Sequence, residues 1–286
     1  SSYPLMDAMA VQFINEGVPI RYSLGRGIGS LAYALVCVVL GFQAGRLGME
    51  STLVTHLILV VVEILLVASY PAYRGKARAA GEEGPRPQSA LALLRHNPRF
   101  TLMLAGVFLG LTGIMPLSNF LVNIVTSRGG SETDLGIALF LMGASELPTA
   151  FFFQKLLRRM GSGKLLLMSM IFGTLKGVLL LLTCNCLGVL AVQPIQVLGY
   201  GLFTPASVYF VNESVPEADR VRGQTIMMVA SNGLGGMMGG VLAGWTLDLG
   251  GVDLMLAACI LSSCIGAVLC LAALRRPGKA ERVCSR

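Results

Sequence analysis

Charged residues are scarce in this chain, and histidine and tryptophan are nearly absent. Only 13% of the 286 residues are charged, 54% are hydrophobic, and the mean hydropathy is +0.72. A soluble domain has about 25% charged residues, so the composition excludes an ordinary soluble protein. We expect an all-α, polytopic membrane protein, because the apolar residues come in blocks near the ~20 residues that a spanning helix needs.

The residues needed for a metal site or a disulfide framework are also missing. The two histidines, His56 and His96, are not close in sequence to the C-x-C pair Cys184 and Cys186, so no set of four ligands is visible. Cysteines in apolar segments behave as small hydrophobes, and four of the seven are in such segments: Cys37, Cys259, Cys264 and Cys270. The sequence therefore predicts no cofactor and no metal.

Catalytic motifs are lacking too. Gly161-Ser162-Gly163-Lys164 resembles the end of a phosphate-binding loop, but Arg158 stands at its first glycine position and Leu165 replaces the Ser/Thr. No G-x-S-x-G elbow occurs, and no histidine lies beside an intramembrane serine. These absences argue against an enzyme, and an intramembrane enzyme is the weakest function hypothesis for the chain.

Eight complete membrane spans are predicted, each followed by a short polar connection or a linker. They cover 27–47, 52–72, 100–126, 135–156, 165–183, 188–212, 223–247 and 254–274. Residues 1–15 resemble the last half of a ninth helix. Because Ser1 is not an initiator methionine and no signal peptide is recognisable, we expect a fragment that begins inside a membrane helix.

Basic residues are concentrated in alternate connections. The stretches 73–99, 155–164 and 275–286 are rich in Lys and Arg, whereas 48–51, 184–187 and 248–253 contain none and 127–134 contains only Arg128. Basic loops stay cytoplasmic, so we expect a multi-pass protein of the cell membrane with a cytoplasmic C-terminus. The net charge of +7 then reflects topology, and no binding to nucleic acid is expected.

The longest polar stretch divides the chain into two unequal groups of helices. Residues 73–99 are rich in glycine and proline and predict a cytoplasmic linker. Before it, 1–72 form the remainder of an N-terminal bundle; after it, 100–275 form a six-helix bundle, and 276–286 form a tail. Small residues such as Gly106, Gly110 and the Gly235–Gly244 run predict close helix contacts, with a hinge role as the alternative.

Four charged residues lie in or against otherwise apolar spans: Asp7, Arg26, Glu146 and Lys176. Charge at membrane depth costs about 3 kcal/mol on insertion scales and marks polar cavities. Glu146 and Lys176 lie near the middles of consecutive spans, so they either face a cavity or form a pair that serves only folding. Arg26 is either a site residue or an interfacial arginine, and Glu63 either lines a cavity or contacts a helix.

One segment carries the most specific family resemblance. Pro4-Leu5-Met6-Asp7-Ala8, followed after a turn by Tyr22-Ser23-Leu24-Gly25-Arg26-Gly27-Ile28-Gly29-Ser30, is similar to the helix-four acid and helix-five R-x-x-G-S of the major facilitator superfamily. The branch that it resembles contains lactose permease and the phenylpropionate and nucleoside proton symporters. This resemblance implies a two-bundle transporter and covers essentially the whole chain, from the family's fourth helix onward.

The resemblance also implies roles for individual residues. Asp7, Arg26 and Tyr33 match the acid, arginine and aromatic residue that contact solute in lactose permease. Glu146, in Gly143-Ala144-Ser145-Glu146-Leu147, matches a substrate-contacting glutamate, and Lys176 stands at a helix-nine arginine tied to proton translocation. Asn119, Asn123, Tyr200 and Asn232 are further candidates for cavity lining.

Departures from the family pattern leave coupling open. Tyr200, Phe203 and Asn232 occupy positions of the family's proton-relay histidine, its glutamate and a helix-eleven lysine. We expect a monomeric secondary transporter in the lipid bilayer for a small polar solute of the sugar, nucleoside or aromatic-acid class. A proton, carried by Glu146 or Asp7, or another ion would drive it, and the alternative is a non-transporting scaffold of the same fold.

Overall fold

A computed structural model describes residues 22–48, 50–69, 89–216 and 219–275, and these ranges contain helices and no strand. The predicted partial helix 1–15, with Asp7, lies outside the described residues. So do most of the predicted linker and the tail 276–286. The last part of the predicted linker, from Ser89 to Arg99, is described and contains a short helix.

The helices follow the predicted spans closely, but several spans are divided. They are α1 (Tyr22–Leu47), α2 (Glu50–Ala68), α3 (Ala90–His96), α4 (Pro98–Ile114), α5 (Pro116–Asn119), α6 (Leu121–Ser127), α7 (Glu132–Ser145), α8 (Leu147–Met160), α9 (Ser162–Leu182), α10 (Cys186–Val192), α11 (Tyr200–Ser214), α12 (Arg220–Met228) and α13 (Gly236–Arg275). A 3₁₀ turn (Gln193–Val197) connects α10 to α11, and a π-helical turn (Val229–Gly235) connects α12 to α13.

The described residues are those of a multi-pass membrane protein. Five of their helical segments are long and apolar enough to cross a bilayer, or six if the bent pair Glu132–Thr149 and Phe152–Met160 counts as one span. The predicted total of eight spans stays a prediction. The 62° bend in that pair lies next to Pro148, which cannot donate a helical hydrogen bond.

The long helix α13 consists of two arms that run in opposite directions. Gly250 and Gly251 have non-helical backbone angles, and φ of Gly251 is +74°, a conformation that glycine adopts without strain. Contacts with α4 show the reversal: Gly235 and Gly239 meet Phe108 and Thr112 in parallel order, whereas Cys270 and Cys259 meet Gly106 and Gly113 in antiparallel order. The break falls between the predicted spans 223–247 and 254–274.

A seam of small residues joins α1, before the predicted linker, to α7, after it. A methyl group on Gly41 would lie 2.7 Å from Cα of Gly136, so the two backbones are in direct contact. The helices are antiparallel, since Gly45 meets Thr133 at one end and Tyr33 meets Gly143 at the other. Close backbone approach of this kind holds helices together in lipid.

Candidate functional site

Lys176 is buried in the middle of α9. Its side chain is 1% exposed, and Nζ donates a hydrogen bond of 2.9 Å to Oε1 of Gln196. A lysine at this depth costs about 3 kcal/mol on insertion scales unless polar partners surround it. The amide oxygen of Gln196 is one such partner, and the carboxylate of Glu146 interacts electrostatically with Lys176.

The interruption between α10 and α11 places Gln196 beside this lysine. Pro194 lacks a backbone N–H and cannot continue the α-helical hydrogen bonds of α10, so the chain forms the 3₁₀ turn. Beyond the turn, Gly199 packs against the backbone of Gly173: a methyl group there would lie 3.5 Å from the Gly173 nitrogen. Because α9 and this segment are antiparallel, Gln196, which is three residues before Gly199, lies opposite Lys176, which is three residues after Gly173.

Glu146 lies at the junction of α7 and α8. It is half-buried, and the neighbouring Thr149 donates a 3.2 Å hydrogen bond to the carbonyl of Val197. Gly201 leaves room for both side chains, because a methyl group there would lie 3.2 Å from Oγ1 of Thr149 and 3.5 Å from Cγ of Glu146. Thus α8 is tied to the interrupted segment that carries Gln196.

A cavity of about 200 Å³ opens between these elements. Its lining residues come from α4 to α5, from α7 with the following turn, and from the segment around α11: Ile114, Met115, Ser118, Asn119, Met142, Glu146, Gln196 and Tyr200. A mixed lining with a few convergent polar groups is typical of a small-molecule site. The volume is below the ~300–1,000 Å³ of pockets for drug-sized ligands and suits a small solute or one part of a larger one.

The π-helical turn contributes a further polar contact. Asn232 lies on this turn, and its Oδ1 accepts a 3.1 Å hydrogen bond from the hydroxyl of Tyr200. Non-α-helical turns inside spanning helices often occur at functional sites. The Tyr200–Asn232 hydrogen bond involves two such turns, because Tyr200 follows Gln193–Val197 and Asn232 lies within Val229–Gly235.

The structure brings together most of the predicted site residues that it describes. Glu146, Asn119 and Tyr200 line the cavity, and Lys176 and Asn232 each bond to a lining residue. By contrast, Asn123 lies on α6, half-buried, and is not part of this lining.

Four other predicted residues belong to the part of the chain before the predicted linker: Asp7, Arg26, Tyr33 and Glu63. Tyr33 is 45% exposed on α1, and its ring contacts Gly143, one turn before Glu146. Arg26 lies on α1, but its side chain is outside the described part, as is Asp7. Glu63 is half-buried on α2, a helix that has no buried residue.

Sequence reasoning did not identify Gln196. Two glutamines flank Pro194 within the predicted apolar span 188–212, and this pattern was the available signal. Amides within a spanning helix are costly unless they are bonded, so both deserved a place among the candidates. Because both side chains are neutral, the presence of charge in an apolar span does not single them out.

A family model and one curated relative match the chain. The model described as "MFS_1 like family" matches residues 1–257, which is most of the sequence. The chain therefore belongs to this family of the major facilitator superfamily, and the superfamily predicted from the Asp7 and Arg26 segments is confirmed.

The curated relative is similar at a distance. The maltose permease of Geobacillus stearothermophilus is 22% identical over 259 residues, which cover 90% of this chain and 64% of the permease. The match thus spans less than two thirds of the relative's length.

Proposed function

We propose that the chain belongs to a secondary active transporter that moves a small polar solute of the sugar, nucleoside or aromatic-acid class by alternating access. The observation that carries this proposal is the cavity at Glu146 and Gln196, with Lys176 buried behind it. Transporters of two bundles bind solute near the midplane, where spanning helices are interrupted. The interruptions beside Glu146 and at Gln193–Val197 fit that arrangement.

Glu146 is our candidate for the group that couples solute movement to a proton. A half-buried carboxylate changes its protonation when its surroundings change, because a nearby cation favours the ionised form and loss of water favours the neutral form. Lys176 supplies the cation. The family's proton-relay histidine and glutamate positions hold Tyr200 and the buried Phe203. Glu146, together with Lys176, would therefore couple transport to a proton, and Asp7 is the other candidate carboxylate.

The N-terminal part of the chain would complete the site from the opposite side. Tyr33 of α1 contacts Gly143, so α1 packs directly on the helix that leads to Glu146. Asp7 and Arg26 would contact solute there, as the family resemblance implies. In this proposal the protein is a monomer of the cell membrane with its C-terminus in the cytoplasm.

Uptake by the complete protein tests the proposal. The protein is reconstituted in liposomes, an inside-alkaline pH gradient is imposed, and accumulation of radiolabelled maltose, uridine and 3-phenylpropionate is measured against protein-free liposomes. We expect at least one of the three to accumulate. If none accumulates and none raises the melting temperature of the protein, the result contradicts this transport proposal and favours the scaffold.

The scaffold alternative is favoured by one observation. Phe203, at the family's proton-carrying position, is 3% exposed and packs in the hydrophobic core among α4, α9 and α11, so this position holds no proton carrier. The polar cavity lined by Glu146 and Gln196 is what supports transport over the scaffold. We therefore place transport first.

A further inference from the structure

The hydrogen bond between Lys176 and Gln196 fixes which end of the glutamine amide faces the lysine. An ammonium group is a donor only, so the amide must present its oxygen to Nζ. The alternative orientation would place two sets of donors face to face inside the protein and leave the buried oxygen unbonded. Burial of both side chains, 1% exposed for Lys176 and 7% for Gln196, makes that alternative costly.

The amide nitrogen is consequently the end left for other partners. Gln196 lines the cavity, and no residue in the described ranges accepts a hydrogen bond from its Nε2. Two N–H donors of known orientation are therefore available to a molecule in the cavity. On the same wall, Glu146 offers a carboxylate, which is an acceptor when ionised.

We propose that Gln196 is a specificity-determining residue that donates to an oxygen of the transported solute, and that Lys176 is a positioning residue that acts through it. This inference rests on the proposed transport function and narrows it. A solute that accepts from Gln196 and donates to Glu146 carries an oxygen acceptor next to a hydroxyl group. Sugars and nucleosides have that pattern.

The charged groups at the cavity also favour a sugar or a nucleoside. The ammonium group of Lys176 lies behind the amide and interacts with Glu146, so it is not presented as a bare cation to an incoming carboxylate. The described residues that line the cavity include no basic side chain that would bind such an anion. Among the described lining residues, the arrangement therefore favours an uncharged solute over an aromatic acid.

Gln193 provides a matched control on the same 3₁₀ turn. It is 0% exposed, its Nε2 donates a 3.1 Å hydrogen bond to the carbonyl of Val189, and it does not line the cavity. Both glutamines are thus buried near Pro194, and only Gln196 contacts Lys176 and the cavity. Gln193→Leu therefore controls for the loss of a buried glutamine on this turn that contacts neither Lys176 nor the cavity.

The first arm of the test needs no solute. In the complete protein with its native cysteines replaced, Gln196→Cys and Gln193→Cys are exposed to a small cationic methanethiosulfonate reagent. We expect the thiol at 196 to react at least about tenfold faster. Equal rates, or a faster reaction at 193, would overturn the placement of Gln196 on the cavity wall.

The second arm measures solute affinity. Binding of maltose, uridine and 3-phenylpropionate to the complete protein is followed for Gln196→Leu and Gln193→Leu. We expect Gln196→Leu to weaken binding of maltose or uridine about tenfold, the effect of about one hydrogen bond, and Gln193→Leu to change it less than twofold. Unchanged affinity in Gln196→Leu would sink the proposal.

Coupling between the two side chains tests the positioning role of Lys176. Lys176→Met alone should weaken binding, and adding Gln196→Leu to it should cost less than it does in the wild type. Fully additive losses would show that Lys176 does not act through Gln196. If none of the three solutes binds while Gln196→Cys still reacts faster, the transport proposal fails and the placement of Gln196 is supported.

Discussion

Helix α4 takes part in two different kinds of contact, a tightly packed one with α13 and an open one at the cavity. One side contacts the second arm of α13 through a glycine seam, which we define as Gly106, Gly110 and Gly113 facing Cys259, Gly266 and Cys270. The C-terminal end of α4 and the following α5 instead contribute Ile114, Met115, Ser118 and Asn119 to the lining of the cavity. The seam has no room for a methyl group: one on Gly106 would lie 2.6 Å from Sγ of Cys270.

In this membrane protein, the glycine seam provides tight helix packing, and the cavity provides a polar interior. In lipid, helices associate through close packing and backbone proximity, and the seam uses both. Ser262 adds a 2.8 Å hydrogen bond to the carbonyl of Leu109 across it. At the cavity, by contrast, a space of about 200 Å³ remains between the helices, and Lys176 and Gln196 bond to each other beside it.

The largest effect is expected from filling the seam. A side chain on Gly266 would begin 2.5 Å from Cα of Gly110, so Gly266→Val must separate α4 from α13. We expect a loss of about 3 kcal/mol in the free energy of unfolding, at the upper end for overpacking, seen as a lower melting temperature. The control is Gly244→Val, because Gly244 has nothing within 4 Å of an added methyl. Equal losses of stability in the two variants would contradict the role of the seam in holding α4 against α13.

A smaller loss of stability is expected on the cavity side. Lys176→Met removes the donor to Oε1 of Gln196 and leaves a buried acceptor unsatisfied, which costs about 1–3 kcal/mol. Thermal unfolding of the purified protein measures it, with Lys164→Met as control, since Lys164 is an exposed lysine on the same helix. A melting temperature as high as that of the wild type would mean that the buried bond contributes nothing.

The smallest loss of stability is expected from an ion pair outside the glycine seam. Arg128 forms an ion pair with Asp253 at the start of the second arm of α13; the Arg128 side chain is 17% exposed and that of Asp253 is 64% exposed, so solvent reaches the pair from the Asp253 side. Exposed pairs contribute about 0–1 kcal/mol and are screened by salt. Arg128→Gln should therefore lower stability by less than about 1 kcal/mol, with the difference from the wild type shrinking in 1 M salt; a larger, salt-independent loss would contradict this ranking.

Much of the helical pattern could be predicted from apolar block length alone. The observed α1 and α9, Tyr22–Leu47 and Ser162–Leu182, lie within a few residues of the predicted spans 27–47 and 165–183. Hydropathy does not report where a span is interrupted, so the 3₁₀ and π-helical turns were not predicted. Pro194 marks where the α-helical hydrogen bonds of α10 are interrupted, but the contact of Gly199 with Gly173 that positions Gln196 is tertiary, and local composition does not reveal it.

The candidate site was predictable only in part, for a similar reason. Glu146 and Lys176 could be predicted because a charged side chain within an apolar span is costly and is kept only where it has a partner or a polar cavity. Gln196 is neutral, and only the tertiary structure shows that Lys176 bonds to it. Among the glycines, Gly235 and Gly239 make the predicted helix contacts, whereas Gly240 and Gly244 have nothing within 4 Å of an added methyl, a distinction that spacing alone does not make.

The most direct test of the central claim is gradient-driven accumulation by the complete protein carrying Glu146→Gln. Glu132→Gln is the matched control, because Glu132 is an exposed glutamate in the first turn of the same helix, α7. With maltose, uridine and 3-phenylpropionate as probes, we expect Glu146→Gln to abolish accumulation of the solute that the wild type concentrates, and Glu132→Gln to retain it. Normal accumulation by Glu146→Gln would contradict the assignment of Glu146 as the coupling carboxylate.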